Sequence, residues 1–282
     1  MPSDAKRSGV IAAAVVPHVP TLSRAEITPE FQRTLVDGER ALGEVLRGEK
    51  PDLWIVASTH WVSTFNWFAT CQPVHEGVCV ADEAPDLVPG MPYRYRGDPE
   101  FAGALIEEWQ RLGIPAARND TTHYTWDYGT FVPLSHLDPR AEVPVVGVPS
   151  VLMADLEESL RAGAAIHAVA KRLGRRAALA ASTALSHALV RGRHHMPTPE
   201  RVALDGRFMD LLRAGEVRQL IAWLPAYSRE AVAEMGGRVL AVMLGSLDAL
   251  AAEDARLETS MYGEYAQSSG SGNAILCARA RG

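Results

Sequence analysis

Three histidines are the residues of this sequence best suited to chemistry, because each lies close to the end of an apolar segment. The histidines are His18, His60 and His187, and the segments before them are residues 10–16, 53–57 and 177–181. Loops at the carboxyl ends of parallel strands converge, so we expect the three imidazoles to approach one another. Imidazole binds several transition metals, and two histidines with one carboxylate form the non-haem Fe(II) site of many oxygenases. The pattern predicts a metal site but does not select the metal, and for a single histidine a hydrogen bond to a loop backbone is the competing interpretation.

The other histidines are weaker candidates. His123 and His75 lie in irregular segments able to fold over a site, and a functional and a structural interpretation both remain open for each. His194 and His195 follow an Arg-Gly-Arg sequence in a polar loop, where we expect solvent exposure. Helical surroundings predict structural roles for the last two, His136 and His167.

Other common enzyme motifs do not occur in the sequence. There is no GxSxG, HExxH or Walker sequence, and the glycines at 270 and 272 lack the GxGxxG spacing of a dinucleotide-binding loop. Such a Gly-rich turn is more often a tight entry into a strand. Nucleophile-elbow hydrolases, HExxH metalloproteases and P-loop enzymes are therefore disfavoured.

Short apolar runs alternate with amphipathic segments along the chain, and these elements must position the histidines. Strands are predicted at residues 10–16, 53–57, 143–148, 177–181 and 273–279. Helices are predicted from residue 28 and over 98–112, 155–173, 199–212 and 229–250, and residues 70–95 form a long irregular excursion. This alternation predicts an α/β fold, a single domain over residues 1–282 whose mainly parallel central sheet is covered by helices on both faces.

Composition excludes several classes of partner. The formal net charge is −6 and the sequence pI about 5.9, without the Lys/Arg stripe that nucleic-acid binding requires. Three cysteines without a CxxC pair argue against a disulfide framework and a zinc knuckle, and a reducing cytoplasm fits best. No apolar run is long enough to span a bilayer, and residues 10–16 are interpreted as a buried strand and not as a signal peptide.

Five short motifs resemble, in order, those of the class III extradiol ring-cleaving dioxygenases, the LigB-like family. The similarity runs over nearly the whole chain and is greatest to the branch with homoprotocatechuate 2,3-dioxygenase and the β subunit of 2-aminophenol 1,6-dioxygenase. The motifs are VPHVPTL at 16–22, STHW at 58–61, DYGT at 127–130, ALSH at 184–187 and SGSGNA at 269–274.

The resemblance implies a metal-binding triad of His18, His60 and Glu264. The two histidines match the family's metal-binding histidines. Glu264 is assigned by its distance before the Ser-Gly-Ser-Gly turn, because local spacing does not distinguish it from Glu258.

The resemblance also implies an acid/base group, His187, which matches the family's second-sphere histidine. Tyr128 stands where the protocatechuate-type branch has a second histidine, so it is either a hydrogen-bonding phenol or a ring packed under the loop. His123 completes the set of candidate catalytic residues.

The resemblance implies an enzyme that opens an aromatic ring oxidatively with Fe(II) and O2. Its substrate would be a catechol-type (homoprotocatechuate-like) or a 2-aminophenol-type compound. The product would be a muconic semialdehyde-type compound, and the enzyme would work as a homo-oligomer or with a related subunit. Two alternatives remain: a zinc or manganese hydrolase with the same ligands, because these ligands do not select iron, and a non-catalytic binding relative of the fold.

Overall fold

The fold is built around a six-stranded sheet in a computed structural model that describes residues 7–253 and 255–280. The strands are β1 (Gly9–Val16), β2 (Leu53–Ser63), β3 (Trp67–Thr70), β4 (Val74–Val80), β5 (Pro89–Arg96), β6 (Ala116–Asn119), β7 (Val145–Val151), β8 (Arg176–Ser182), β9 (Leu257–Ser268) and β10 (Ser271–Ala280). The helices are α1 (Arg33–Glu49), α2 (Pro99–Arg111), α3 (Tyr128–Leu137), α4 (Leu156–Arg172), α5 (Pro199–Arg213), α6 (Val217–Glu230) and α7 (Arg238–Ala251). Among the described residues, no helix has the length and apolar character needed to cross a membrane.

The main sheet has the strand order β7-β2-β8-β1-β10-β9. Strands β7, β2, β8 and β1 are mutually parallel, whereas β10 pairs antiparallel with both β1 and β9. The prediction of a mainly parallel central sheet is therefore confirmed. Because these four parallel strands end at one edge, the residues that follow them are brought together.

Both faces of the sheet are buried, as predicted. Alternate side chains of β1 belong to two separate apolar clusters, so the strand contributes to a core on each side. One cluster contains apolar residues of α4 and α7, and the other contains those of α1 and α3. A strand covered on both faces reads as a continuous apolar run, which is the pattern seen at residues 10–16.

Helix starts were predicted well where a capping side chain precedes the helix. Asp98, Asp155 and Thr198 cap α2, α4 and α5, and each accepts a hydrogen bond from the backbone N–H three residues later. Two predictions were wrong. The irregular excursion at 70–95 contains the antiparallel pair β4 and β5, and the helix predicted over 229–250 is interrupted between α6 and α7.

Glu39 on α1 is a buried carboxyl group without a hydrogen-bond partner in the part of the chain that the structure describes. Burial raises the pKa of Glu39 well above its usual value, so the folded protein keeps this proton to a higher pH than the unfolded chain does. The unfolded chain ionises at the ordinary pKa near 4.3. Folding stability therefore falls as the pH rises above the unfolded-state pKa. It stops falling once the pH has passed the raised pKa of the folded state.

We predict that Glu39→Met stabilises the protein at about pH 8, by about 1 to 3 kcal/mol, because it removes an unsatisfied buried polar group. Urea denaturation measures the free energy of unfolding. Glu39→Gln is the matched control. Because this substitution removes only the ionisation, its free energy of unfolding should exceed that of the wild type by an amount that grows as the pH rises from about 4 to 8. Equal stability of all three proteins at pH 8 would contradict the assignment.

Candidate metal centre and active site

His18 leaves the end of β1 with a defined orientation of its imidazole ring. Its Nδ1 lies 3.0 Å from the Oγ of Ser182, the last residue of β8. The Ser182 hydroxyl donates to the carbonyl oxygen of Gly129 at 2.5 Å, so its lone pair is left to accept from His18 Nδ1–H. This arrangement fixes the ring with Nε2 directed into the site, where it is available as a ligand.

His60 lies within β2, where the register with β7 shifts between Ser58 and Val62. Such a bulge redirects the side chains it carries, and it turns the His60 ring toward the strand ends. Nδ1 of His60 lies 3.4 Å from Oε1 of Glu83. Burial, followed by the neighbouring His18, lowers the pKa of His60 to about 4, so its imidazole is neutral and has a free lone pair.

Glu234 supplies a buried carboxylate opposite these histidines. It lies in a 3-10 turn, Glu234–Gly237, between α6 and α7, and only 4% of it is exposed. Oε2 accepts from the Ala184 N–H at 2.6 Å and the Thr183 hydroxyl at 3.2 Å, which leaves Oε1 facing the histidines. Burial alone would raise the pKa of Glu234, but His18 and then His187 hold it well below its usual value. The group is therefore an anion with one oxygen anchored and the other directed at the site.

The ligand atoms of His18, His60 and Glu234 lie within 4.8 Å of one another. Oε1 of Glu234 is 3.3 Å from Nε2 of His18 and 3.7 Å from Nε2 of His60. Ligand atoms about 2.1 Å from one ion at right angles lie about 3 Å apart. Two imidazoles and one carboxylate at these distances suit a divalent transition metal.

The prediction that Glu264 joins the two histidines was wrong. Glu264 is exposed on β9, and its backbone N–H donates to the Thr34 hydroxyl at 2.8 Å on α1. The alternative, Glu258, is also on β9, paired in register with Arg279 of β10. The carboxylate comes instead from the connection before α7, because Glu234 lies where the predicted helix breaks. The glycines at 236 and 237 were the overlooked signal, since a Gly-Gly pair commonly marks a turn.

Tyr128 and His187 lie beside the candidate metal ligands. The Tyr128 hydroxyl is 2.7 Å from Nε2 of His60, and Nε2 of His187 is 3.6 Å from Oε1 of Glu234. Burial and then the Glu83 carboxylate raise the pKa of Tyr128, so its phenol remains protonated and acts as a donor.

Contacts in the first turn of α3 explain why Asp127 and Gly129 flank Tyr128. Asp127 caps the helix by accepting from the Thr130 N–H at 3.0 Å, and it also accepts from the Ser58 hydroxyl at 2.6 Å. A Cβ on Gly129 would lie only 2.5 Å from Ser58 Oγ, so glycine is required there. These contacts attach the start of α3 to β2 and place Tyr128 next to His60.

The structure does not bring His123 to the site. It is exposed in the loop before α3 and does not line the cavity above the histidines, so its prediction as a catalytic residue was wrong. Three other histidines have buried structural contacts, as their hydrogen bonds show. His75 bonds to the Val145 carbonyl and His136 to the Leu22 carbonyl, while His167 accepts from the Val10 N–H.

A cavity of about 400 Å³ opens above the candidate metal ligands, which is large enough for one aromatic ring with a small substituent. The 81–88 loop between β4 and β5 contributes acidic residues to it, and the segment after β8 contributes His187 and Arg193. The β9–β10 turn closes a further side. The residues that line it are His18, Val19, Pro20, Thr21, His60, Glu83, Ala84, Asp86, Leu87, Tyr128, Ala184, His187, Leu189, Arg193, Ser268, Ser269, Ser271 and Asn273.

Similar sequences and a similar fold occur in known proteins. Residues 12–270 match the family described as the catalytic LigB subunit of aromatic ring-opening dioxygenase, and the chain belongs to that family. This membership confirms the predicted class of enzyme, an oxidoreductase that opens aromatic rings in the extradiol manner.

Individual relatives match over most of the chain. A 3,4-dihydroxyphenylacetate 2,3-dioxygenase of Escherichia coli is 25% identical and aligns over 83% of this chain and 89% of its own length. A 2-aminophenol 1,6-dioxygenase β subunit of a Pseudomonas species is 25% identical over 95% of this chain and 93% of its own. A crystal structure of an uncharacterized protein from Escherichia coli K12 shares the fold, with a TM-score of 0.68, 17% identity and coverage of 95% and 99%.

We predict that Glu234→Gln weakens divalent metal affinity by about 100-fold or more, because the anionic ligand is lost. The amide oxygen can still accept from the Ala184 N–H, so the turn is expected to remain folded. Competition titration with a chromogenic chelator measures the affinity. Glu264→Gln is the matched control and should bind metal as the wild type does. Loss of metal in the Glu264 variant with retention in the Glu234 variant would reverse the assignment.

Proposed function

We propose that this chain is a non-haem Fe(II)-dependent extradiol dioxygenase that opens the ring of a catechol-type or 2-aminophenol-type substrate. The observation that carries the proposal is the grouping of His18, His60 and Glu234 at the strand ends, in a chain of the ring-opening dioxygenase family. Both oxygen atoms of O2 enter the substrate, whose ring opens to a muconic semialdehyde-type product. No specific feature of the site favours a zinc or manganese hydrolase or a non-catalytic binding role.

His18, His60 and Glu234 would hold the ion. A bound Fe(II) would supply the positive charge that lowers the pKa of a substrate hydroxyl, and it would bring substrate and O2 together. The Ala184 N–H fixes Oε2 of Glu234, so only Oε1 is directed at the histidines. His18 and His60 also line the cavity, where a flat ring can enter between the 81–88 loop and the β9–β10 turn.

His187 is the proposed acid/base group. It lines the cavity, and its backbone N–H donates to the Val232 carbonyl at 2.9 Å, which fixes the residue close to Glu234. An imidazole can accept a proton from a substrate hydroxyl and return it to the ring-opened product. The protonated Tyr128 phenol is a hydrogen-bond donor to a reactant beside His60, so the two residues have different tasks.

Other parts of the proposal concern the context of the enzyme. We propose that the chain acts as one catalytic domain and in the cytoplasm, where its free and buried cysteines would stay reduced. The Pseudomonas relative is named as a β subunit. Assembly of this chain as a homo-oligomer, or with a related subunit, is therefore part of the proposal.

Anaerobic reconstitution tests the activity. Protein loaded with Fe(II), Zn(II) or Mn(II) is supplied with catechol, 3,4-dihydroxyphenylacetate or 2-aminophenol, while an oxygen electrode and mass spectrometry follow the reaction. We expect oxygen uptake with the Fe(II) protein and a product that is the substrate plus two oxygen atoms. Uptake with none of the three substrates would overturn the proposed function, and activity only with Mn(II) would overturn the choice of metal.

We predict that His187→Ala keeps its metal and loses about 100-fold or more in kcat, the usual range for deletion of a general acid/base. Tyr128→Phe removes only a hydrogen-bond donor and should lose less. The matched control is His195→Ala, which truncates an exposed imidazole outside the cavity. Metal content and steady-state kinetics separate the roles. If Tyr128→Phe is as damaging as His187→Ala with metal retained, the phenol shares the proton transfer.

A further inference from the structure

One guanidinium group faces the cavity without an internal partner. Of the described residues that line the cavity, Arg193 is the only lysine or arginine. Within residues 7–253 and 255–280, its side chain makes neither an ion pair nor a hydrogen bond. Two other surface arginines differ in this respect, since Arg94 and Arg140 both pair with nearby glutamates.

The backbone that carries Arg193 is held against the β9–β10 turn. The N–H of Ser269 donates to the Arg193 carbonyl at 3.3 Å, and the N–H of Gly270 donates to the His195 carbonyl at 2.9 Å. The N–H of Val190 also donates to the Ser269 carbonyl, at 2.7 Å. Three hydrogen bonds therefore fix the backbone of the 190–195 segment at the cavity mouth, so less chain has to be ordered when Arg193 meets a ligand.

A turn within the same segment adds to this order. Gly192 has a φ of +108°, which favours glycine, and the His195 N–H donates to its carbonyl at 3.1 Å. A Cβ on Gly192 would lie 2.7 Å from the His195 ring, so a side chain there would displace the turn. The position before Arg193 therefore requires glycine.

The charges around the cavity define what this guanidinium can bind. The 81–88 loop contributes two acidic residues, Glu83 and Asp86, and Glu83 is already close to His60 Nδ1. Within the 190–195 segment, only Arg193 places a positive charge in the cavity lining. A planar guanidinium matches a carboxylate with two parallel hydrogen bonds, so an anionic group on the substrate would be bound beside this segment.

We propose that Arg193 selects an aromatic ortho-diol with a carboxylate side group over neutral or cationic analogues. The inference rests on the proposed function, because it places the ring of the substrate at the candidate metal ligands. The ring would lie between these ligands and the apolar Leu189 side chain, and the carboxylate would reach the guanidinium at the mouth. Arg193 thus acts as a specificity-determining residue.

Three catechols with side groups of different charge test the proposal: 3,4-dihydroxyphenylacetate, 4-methylcatechol and dopamine. With the Fe(II) protein, we expect kcat/KM to be about 10-fold or more higher for the anion than for the neutral compound. Arg193→Gln should lose about 10-fold or more on the anion alone. Arg191→Gln is the matched control, an exposed arginine of the same segment outside the cavity lining, and it should keep the wild-type preference.

Anaerobic calorimetry of the same proteins with the same compounds separates this inference from the proposed function. If no compound supports oxygen uptake but the anion binds more tightly and Arg193→Gln removes that preference, the inference survives and the proposed function fails. A wild-type preference for the neutral or cationic compound would overturn the inference. An equal loss on all three compounds in Arg193→Gln would also overturn it, because that is the result of a structural role.

Discussion

The site depends on one buried anion, the carboxylate of Glu234. Removing a carboxylate from water is costly unless it is paired and hydrogen-bonded. Here Oε2 receives two hydrogen bonds from residues 183 and 184, and Oε1 faces His18, His60 and His187 at 3.3 to 3.7 Å. The two hydrogen bonds therefore offset part of the cost of burying the anion, and Oε1 and the ring nitrogens converge on one point.

The chain that follows β8 connects the separate parts of the site. Ser182 orients His18, Ala184 anchors Glu234, and the next residues lead to His187. Below this segment, the buried carboxylate of Asp205 accepts from the hydroxyl groups of residues 186, 227 and 265 at 2.6 to 2.8 Å. Because one continuous segment contacts a candidate ligand and also carries the proposed acid/base residue, a shift in it would disturb both.

Backbone strain is concentrated on either side of Glu234. Val232 and Met235 have positive φ values of 55° and 46°, a region that β-branched and bulky residues rarely adopt. Two left-handed glycines follow, and a Cβ on Gly237 would lie 2.2 Å from the Ser228 hydroxyl. Strained residues of this kind persist where surrounding contacts hold them, commonly beside functional sites. The turn directs Glu234 into the site at this local cost.

The sequence by itself determined the alternation of strands and helices, because apolar periodicity and capping residues are local signals. It also determined that His18, His60 and His187 meet, since residues after parallel strands converge. Only the tertiary structure decided which carboxylate lies beside the histidines. Glu264 and Glu234 look alike in sequence, and only the packing of the turn before α7 against the segment after β8 shows which one is buried beside the histidines. Burial and the direction of a side chain depend on residues distant in sequence, and local patterns do not contain that information.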